Sequence, residues 1–194
     1  MTLSFQAQNA RDVHSAGVKH SVVIRAFHWG SAVILAGMYA LAWTAGAIGP
    51  GQMGVRLFDL HRSFGVVLIA LVVLRLAWRL THPLPPLPET VTSWERIVSS
   101  MVQALLYGGM ILMPLLGLAA SDMAGDTIRI FGLVTLPSVM PMDQDLSDFI
   151  FEVHGWVAIG LLGFIGLHVL GALRHHFVLK DAVLVRMVGG KTPT

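Results

Sequence analysis

The stretch VHGWVAIGLLGFIGLH, residues 153–168, carries two histidines in an otherwise apolar run. Between them, only the indole of Trp156 has a polar side-chain atom. His154 and His168 are 14 residues apart, which corresponds to roughly 21 Å along an α-helix. Fourteen steps of about 100° bring the two residues to one helix face, within about 40° of each other. The stretch therefore predicts an apolar helix with two imidazoles on one side, at two depths.

The composition of the whole chain predicts a membrane protein. Its 194 residues are 55% hydrophobic and 12% charged, whereas about a quarter of the residues in a soluble domain are charged. Four apolar stretches stand out, at residues 22–46, 57–80, 97–120 and 153–176. Each approaches the ~20 residues that cross a bilayer core as a helix, and runs of this length favour helices over a barrel. We therefore expect an all-α, integral membrane four-helix bundle.

The chain reads as one membrane domain, residues 22–176, between an N-terminal segment, 1–21, and a tail, 177–194. The first apolar stretch lacks a cleavage signal of small residues, so we expect a retained span and not a signal peptide. A Pro-rich linker, 82–93, joins spans two and three, and a longer connection, 121–152, joins spans three and four. The absence of cysteine excludes disulfides, thiolate metal sites and haem attached through C-x-x-C-H.

The distribution of Lys and Arg predicts the orientation of the spans. Three of the 13 basic residues fall on one side of the membrane, at Arg56, Arg62 and Arg129. The other ten fall on the side of the termini and the Pro-rich linker, at Arg11, Lys19, Arg25, Arg75, Arg79, Arg96, Arg174, Lys180, Arg186 and Lys191. Loops rich in Lys and Arg stay in the cytoplasm. Both termini are therefore expected to be cytoplasmic, and no nucleic-acid partner is expected.

The histidines within the spans form pairs of matching depth. His28 lies near the cytoplasmic start of span one, and His61 lies near the outer start of span two. Depth then pairs His61 with His154 on the outer side and His28 with His168 on the inner side. Two stacked imidazole pairs would fit two haem groups, each held by two histidines from facing helices.

Other readings of these histidines remain open. A single membrane histidine often only hydrogen-bonds a neighbouring helix, but four in matched pairs point to function. A histidine-lined transporter without haem would usually place carboxylates near the midplane, where these spans have none. Ligation by histidine and methionine is conceivable, since Met38, Met110 and Met113 lie in spans, although such methionines more often pack.

Several motifs resemble one known family. They are FHW at 27–29, LHRSFG at 60–65, THPLPP at 81–86, FGLVTLP at 131–137, VHGW at 153–156 and GLHVLGALRHHFVLKDAVLVRM at 166–187. With these motifs the chain resembles the bacterial cytochrome b561 family over about residues 19–188. The resemblance implies a four-helix cytochrome of the bacterial cytoplasmic membrane with two haem b groups. Their axial ligands would be the same four histidines, and ubiquinone would accept the electrons.

The resemblance leaves two functions open. One branch of the family resembles a superoxide oxidase, which oxidises superoxide outside and reduces ubiquinone inside. The outer segments carry three basic residues against seven acidic ones, which suits a cationic protein donor better than an anionic radical. The alternative is therefore a haem-bearing membrane anchor or relay for a separate dehydrogenase or small periplasmic cytochrome. The oligomeric state stays open.

Further side chains are candidates for contacts with the haems and the quinone. Arg62 follows His61 and would neutralise an outer haem propionate, whereas Arg75 and Arg79 would bind inner propionates or extend to lipid headgroups. Arg174 and His175 lie beyond His168 at the inner end of span four. We expect His175 to donate a hydrogen bond and relay protons to the quinone, and the alternative is contact with lipid headgroups.

Overall fold

The computed structural model describes residues 20–82 and 91–189. Four helices form a membrane bundle: α1 Val22–Ile48, α2 Gln52–Thr81, α3 Ser93–Met123 and α4 Gln144–Phe177. All four are long and apolar enough to cross a membrane, by length and composition. Each is longer than its predicted span: α1 continues through Ala47 and Ile48, and the other three are extended mainly at their N-terminal ends. The predicted Pro-rich linker lies mostly in 83–90, outside the described residues, as do 1–19 and 190–194.

The bundle is built from two tightly packed helix pairs, α1 with α2 and α3 with α4. A buried cluster of Met38, Leu68, Val72 and Met110 joins α1, α2 and α3. Gly65 on α2 allows the closest approach there, because an added Cβ would lie 3.5 Å from Met38 Cε and 3.6 Å from Pro114 Cβ. Close approach at a small residue is a common way for membrane helices to pack.

Polar side chains cap the starts of three of the four membrane helices. The Ser21 hydroxyl accepts a hydrogen bond from Ile24 N–H at the start of α1 (3.3 Å). At the start of α3, Thr92 and Glu95 form a capping box, and the Asp143 carboxylate accepts from Leu146 N–H at the start of α4 (3.0 Å). Each cap satisfies an N–H group that has no partner within its own helix.

A small β-hairpin interrupts the predicted all-α pattern between α3 and α4. Its strands, β1 Arg129–Ile130 and β2 Val134–Thr135, pair antiparallel. The turn places Phe131 (φ 50°) and Gly132 (φ 71°) in the left-handed region. The buried Ser63 hydroxyl on α2 accepts from Phe131 N–H (2.9 Å), and the Phe131 ring packs edge-on against Phe64. The hairpin therefore covers α2 at the end of the bundle that we call the loop end.

The chain folds back at the opposite end, the tail end, where α1 begins and α4 finishes. A short helix, α5 Val183–Val188, lies beside α1. The Arg25 guanidinium donates to the carbonyls of Met187 (3.0 Å) and Val188 (3.1 Å). The Trp29 indole N–H also donates to Met187 O (3.3 Å), and His20 N–H donates to Arg186 O (3.2 Å). These contacts tie the end of the chain to the start of the first transmembrane helix.

Candidate functional site

Four histidines of the bundle meet in two pairs. The ring centres of His28 on α1 and His168 on α4 lie 6.1 Å apart. Those of His61 on α2 and His154 on α4 lie 6.3 Å apart. The first pair is toward the tail end and the second is toward the loop end, so each pair joins α4 to the α1–α2 hairpin. The pairs are those that helix depth predicts.

The separation within each pair matches two imidazoles on one metal ion. An imidazole nitrogen binds a transition metal at about 2.0–2.1 Å and lies roughly 1.1 Å from its ring centre, which places two coaxial rings roughly 6.3 Å apart. The ring planes in the two pairs cross at 57° and 68°. Two rings that each stand perpendicular to a haem plane can adopt any such mutual angle. The separation of the rings therefore fits a haem iron that would be held by two histidines.

In a neutral histidine, one ring nitrogen carries the proton and the other carries a lone pair. The hydrogen-bond partner of Nδ1 therefore decides whether Nε2 can bind a metal. His61 Nδ1 lies 3.0 Å from the Met38 carbonyl oxygen, to which its N–H donates. Nε2 then carries the lone pair that a metal requires. At the other pair, the Arg75 guanidinium donates from Nη2 to His28 Nδ1 (3.0 Å), which leaves the proton of the neutral ring on Nε2. A metal at His28 Nε2 would therefore require Arg75 to release this hydrogen bond and the proton to move to Nδ1. The two sites therefore differ in charge, since a guanidinium lies beside one and a neutral carbonyl beside the other.

Gly117 on α3 makes room for the His154 ring. A Cβ at this position would lie 3.2 Å from His154 Cε1 and 3.4 Å from His154 Nδ1. A larger side chain would displace the ring, because few real Cβ contacts are that short. No motif in the sequence distinguishes Gly117 from the chain's other glycines. Its role depends on a contact between two helices, which sequence spacing does not reveal.

The histidine-bearing helix α4 has few buried side chains. Among its described residues, only Ser147 and Leu161 are fully buried. A Cβ added at any of five glycines would meet no atom within 4 Å of it, at Gly155, Gly160, Gly163, Gly166 and Gly171. These glycines are therefore not points of close helix packing within the described chain. Four of them, all but Gly166, are exposed, so they lie on the outer surface of the bundle and not on the histidine face.

Two arginines and a tyrosine lie next to the tail-end pair. The guanidinium carbons of Arg75 and Arg79 lie 5.2 Å and 5.8 Å from the centre of the Tyr107 ring. Arg79 also donates to Gln103 Oε1 (3.1 Å). Arg75 Nε and Tyr107 Oη are buried and have no hydrogen-bond partner among the described residues. Buried polar atoms are rarely unpaired, so these two donors fit an anion or a carbonyl ligand.

The other predicted site residues form ion pairs. Arg62 binds Asp59 (3.3 Å) and Asp126 (2.5 Å) at the loop end. At the tail end, Arg174 pairs with Glu95, and His175 Nδ1 lies 2.6 Å from Asp181 Oδ2. These three side chains therefore tie elements together: Arg62 joins α2 to the loop-end connection, Arg174 joins α4 to α3, and His175 joins α4 to the segment before α5.

The described part of the chain holds no cluster of three or more His, Asp or Glu side chains that would suit a metal ion. Protein sites for a single zinc ion use three or four such ligands. Isolated imidazole pairs instead suit haem, whose ring supplies the other four iron ligands. Two imidazoles at each site would hold a haem iron, and a haem held in this way would supply one-electron transfer.

Comparison with known proteins agrees with this geometry. The sequence profile described as "Prokaryotic cytochrome b561" matches residues 19–190, almost the whole chain. The chain belongs to the prokaryotic cytochrome b561 family. It is therefore a membrane electron-transfer protein of the bacterial inner membrane, and its family binds haem b.

Three curated relatives are similar over most of the chain. "Cytochrome b561 homolog 2" of Escherichia coli (strain K12) is 31% identical over 173 residues, 88% of this chain and 92% of that protein. "Probable superoxide oxidase CybB" of Yersinia pestis is 31% identical over 132 residues, 68% of this chain and 74% of that protein. "Cytochrome b561 homolog 1" of Escherichia coli (strain K12) is 27% identical over 163 residues, 83% and 92% of the two chains.

Proposed function

We propose that this b561 cytochrome oxidises superoxide at the outer face of the inner membrane and reduces ubiquinone at the inner face, with two haem b groups between. The observation that carries the haem part of the proposal is the pair of histidine–histidine separations, 6.1 Å and 6.3 Å, both near the value for one iron between two imidazoles. The likeness to a protein named as a probable superoxide oxidase supports the donor.

The four histidines are the proposed axial ligands. His28 and His168 hold the inner haem, and His61 and His154 hold the outer haem. When bound, the haems supply one-electron redox chemistry. In the complete reaction, two superoxide anions become two dioxygen molecules, and one quinone takes up the two electrons and two protons to become quinol.

Arg75 is the proposed partner of an inner haem propionate. It lies beside His28, and its buried Nε has no partner in the described chain. A guanidinium is suited to a carboxylate because its N–H groups match the two oxygens. Arg79 adds a second positive charge on the same tyrosine ring. Arg62 would bind an outer haem propionate after releasing its ion pair with Asp126 or Asp59.

The proposed orientation places the tail end in the cytoplasm. Seven of the ten basic residues assigned to that side fall within the described chain, and the loop end holds three. The positive-inside rule then supports cytoplasmic termini. Arg56 and Arg129 at the loop end are exposed and would attract superoxide locally, although acidic residues outnumber basic ones there.

A stopped-flow experiment tests the proposal. Detergent-purified, haem-loaded protein would be mixed with potassium superoxide, and the reduced b-type α-band would be followed. We expect the haem to be reduced after mixing with superoxide. A short-chain ubiquinone added afterwards should reoxidise it. Superoxide dismutase in the superoxide syringe should abolish the reduction. Haem that stays oxidised with superoxide would contradict the proposed donor.

A relay for a separate protein donor is the second candidate. It is favoured by four acidic residues in or just before the first turns of α4, at Asp143, Asp145, Asp148 and Glu152. An acidic outer surface suits a basic redox protein. In the same stopped-flow assay, this candidate predicts reduction by a small basic cytochrome, with a rate that falls as salt rises, and no reduction by superoxide.

A further inference from the structure

The tail end contains a side-chain cavity apart from the ion pairs of Arg174 and His175. This groove lies between α2 and α3 and has a volume of about 370 Å³. It is lined by Leu76, Arg79, Ser100, Gln103, Ala104 and Tyr107. Ligand sites in proteins are typically apolar cavities of about 300–1,000 Å³ with a few placed polar groups. The groove has both properties.

We propose that the groove binds the ubiquinone headgroup. The inference rests on the proposed function, and it moves the quinone from the end of α4 to the α2–α3 interface. Arg174 and His175, the residues that sequence position favours, already bind Glu95 and Asp181. The groove instead offers donors to a neutral ligand with two carbonyl oxygens.

Three donors in the groove suit those oxygens. The Tyr107 side chain lines the groove. Its hydroxyl is covered and has no partner among residues 20–82 and 91–189, so a quinone oxygen would accept from it after displacing the atoms that cover it. Gln103 accepts from Arg79 through Oε1, so its amide nitrogen carries the two N–H donors. The Arg79 guanidinium has five N–H groups, more than its bond to Gln103 uses. The apolar lining of Leu76 and Ala104 suits a quinone ring.

The groove also lies close to the proposed inner haem site. The Tyr107 ring lines the groove, and its centre lies 5.2 Å from the Arg75 guanidinium carbon. Arg75 in turn lies 3.0 Å from His28 Nδ1. A single arginine therefore separates a groove residue from a proposed iron ligand. This proximity suits a quinone that takes one electron at a time, with its two protons supplied from the cytoplasmic side.

Two variants test the groove without removing its shape. Tyr107→Phe removes the hydroxyl but keeps the ring beneath the arginines, and Gln103→Leu removes the amide at similar volume. Loss of one or two hydrogen bonds should weaken quinone binding about tenfold. Ser99→Ala is the matched control, because that hydroxyl bonds Arg96 O within its own helix and Ser99 does not line the groove.

Two readouts are needed on full-length, haem-loaded protein. Isothermal titration calorimetry with a short-chain ubiquinone measures the Kd directly, and stopped-flow absorbance measures reoxidation of dithionite-reduced haem by the same quinone. We expect both groove variants to raise the Kd about tenfold and to slow reoxidation at low quinone concentration. Their haem content and reduced spectra should match the wild type.

The outcomes separate this inference from the proposed function. If wild-type haem is reoxidised by quinone and both groove variants behave like Ser99→Ala, the groove assignment is wrong and the proposed function stands. If His175→Gln raises the Kd instead, the quinone binds at the end of α4. If Gln103→Leu changes only the phosphatidylglycerol retained per chain, the groove is a lipid site. Wild-type protein that neither binds nor is oxidised by quinone would overturn both ideas.

Discussion

At the scale of single residues, Gly117 determines whether the His154 ring can occupy its position. A Leu at 117 would extend into a ring that lies 3.2 Å from where the first side-chain atom would stand. If the two proposed haem sites are both filled, we predict that Gly117→Leu lowers bound haem from about two to about one per chain, because it displaces a histidine of one proposed site. Pyridine haemochrome analysis measures this content.

Gly108 on the same helix provides the matched control for that prediction. An added Cβ there meets no atom within 4 Å, and the residue is exposed. Gly108→Leu should therefore retain the wild-type haem content. Two haems in Gly117→Leu would show that His154 tolerates displacement or is not an iron ligand.

The Arg75 guanidinium should raise the reduction potential of the proposed inner haem. A positive charge beside His28 favours the reduced iron, which carries one positive charge fewer. We predict that Arg75→Gln lowers one of the two midpoint potentials by some tens of millivolts, about the effect of one nearby charge in a partly polar site. Spectroelectrochemical titration resolves the two haems.

Arg96→Gln removes a positive charge from an exposed residue at the same end of the bundle, so it controls for net charge. Its two potentials should match the wild type. A shift in both potentials, or in neither, for Arg75→Gln would contradict the placement of Arg75 beside one haem.

At the scale of secondary-structure elements, Ser63 attaches the β-hairpin to α2. Its hydroxyl is the acceptor for Phe131 N–H in a turn that has positive φ. Ser63→Ala leaves that amide without its acceptor, at a cost of about 1 kcal/mol. We therefore predict about fivefold faster deuterium exchange at 129–135.

Thr81→Ala is the control for Ser63→Ala, since the Thr81 hydroxyl donates to carbonyls within α2, far along the helix from the hairpin. Exchange at 129–135 that stays at the wild-type rate in Ser63→Ala would show that the Phe131–Phe64 ring contact alone holds the hairpin.

At the scale of the whole molecule, the tail-end contacts should weaken in acid. His20 lies outside the membrane spans, where burial, and then the charges of Arg186 and Arg79, lower its pKa below the ordinary value of 6.5. The folded state then binds fewer protons than the unfolded state, so this residue's contribution is fully present above pH 6.5 and declines as pH falls below it.

We predict that His20→Gln loses less thermal stability than the wild type between pH 7.5 and pH 5.5. Differential scanning fluorimetry in detergent measures the two melting temperatures of each protein. His82→Gln replaces an exposed histidine at the same end and should keep the wild-type pH dependence. If the melting temperatures of His20→Gln and the wild type fall equally between pH 7.5 and pH 5.5, His20 is not a source of the acid sensitivity.

Much of the architecture was predictable because hydropathy in lipid is a strong constraint. Run length predicted four helices, and helix depth predicted which histidines approach each other. The β-hairpin was not predicted, since its two-residue strands depend on Ser63 and Phe64 of another helix. The groove could have been suspected: Gln103 and Tyr107 are polar, four residues apart and inside an apolar span.

The ion pairs of Arg174 and His175 could not be predicted from sequence position. Arg174 and His175 are basic and close to His168 along the chain, but their carboxylate partners come from α3 and from the segment after α4. Glu95 is separated from Arg174 by 79 positions in the sequence, and such a partner is invisible to local patterns.

The uninterrupted helix α4 carries one histidine of each pair, and this makes it a spacer of fixed length. An inserted residue between His154 and His168 would rotate one of them by about 100° relative to the other, so only one pair could keep its partner. An insertion in a loop leaves this spacing unchanged, whereas an insertion between the two histidines separates one pair.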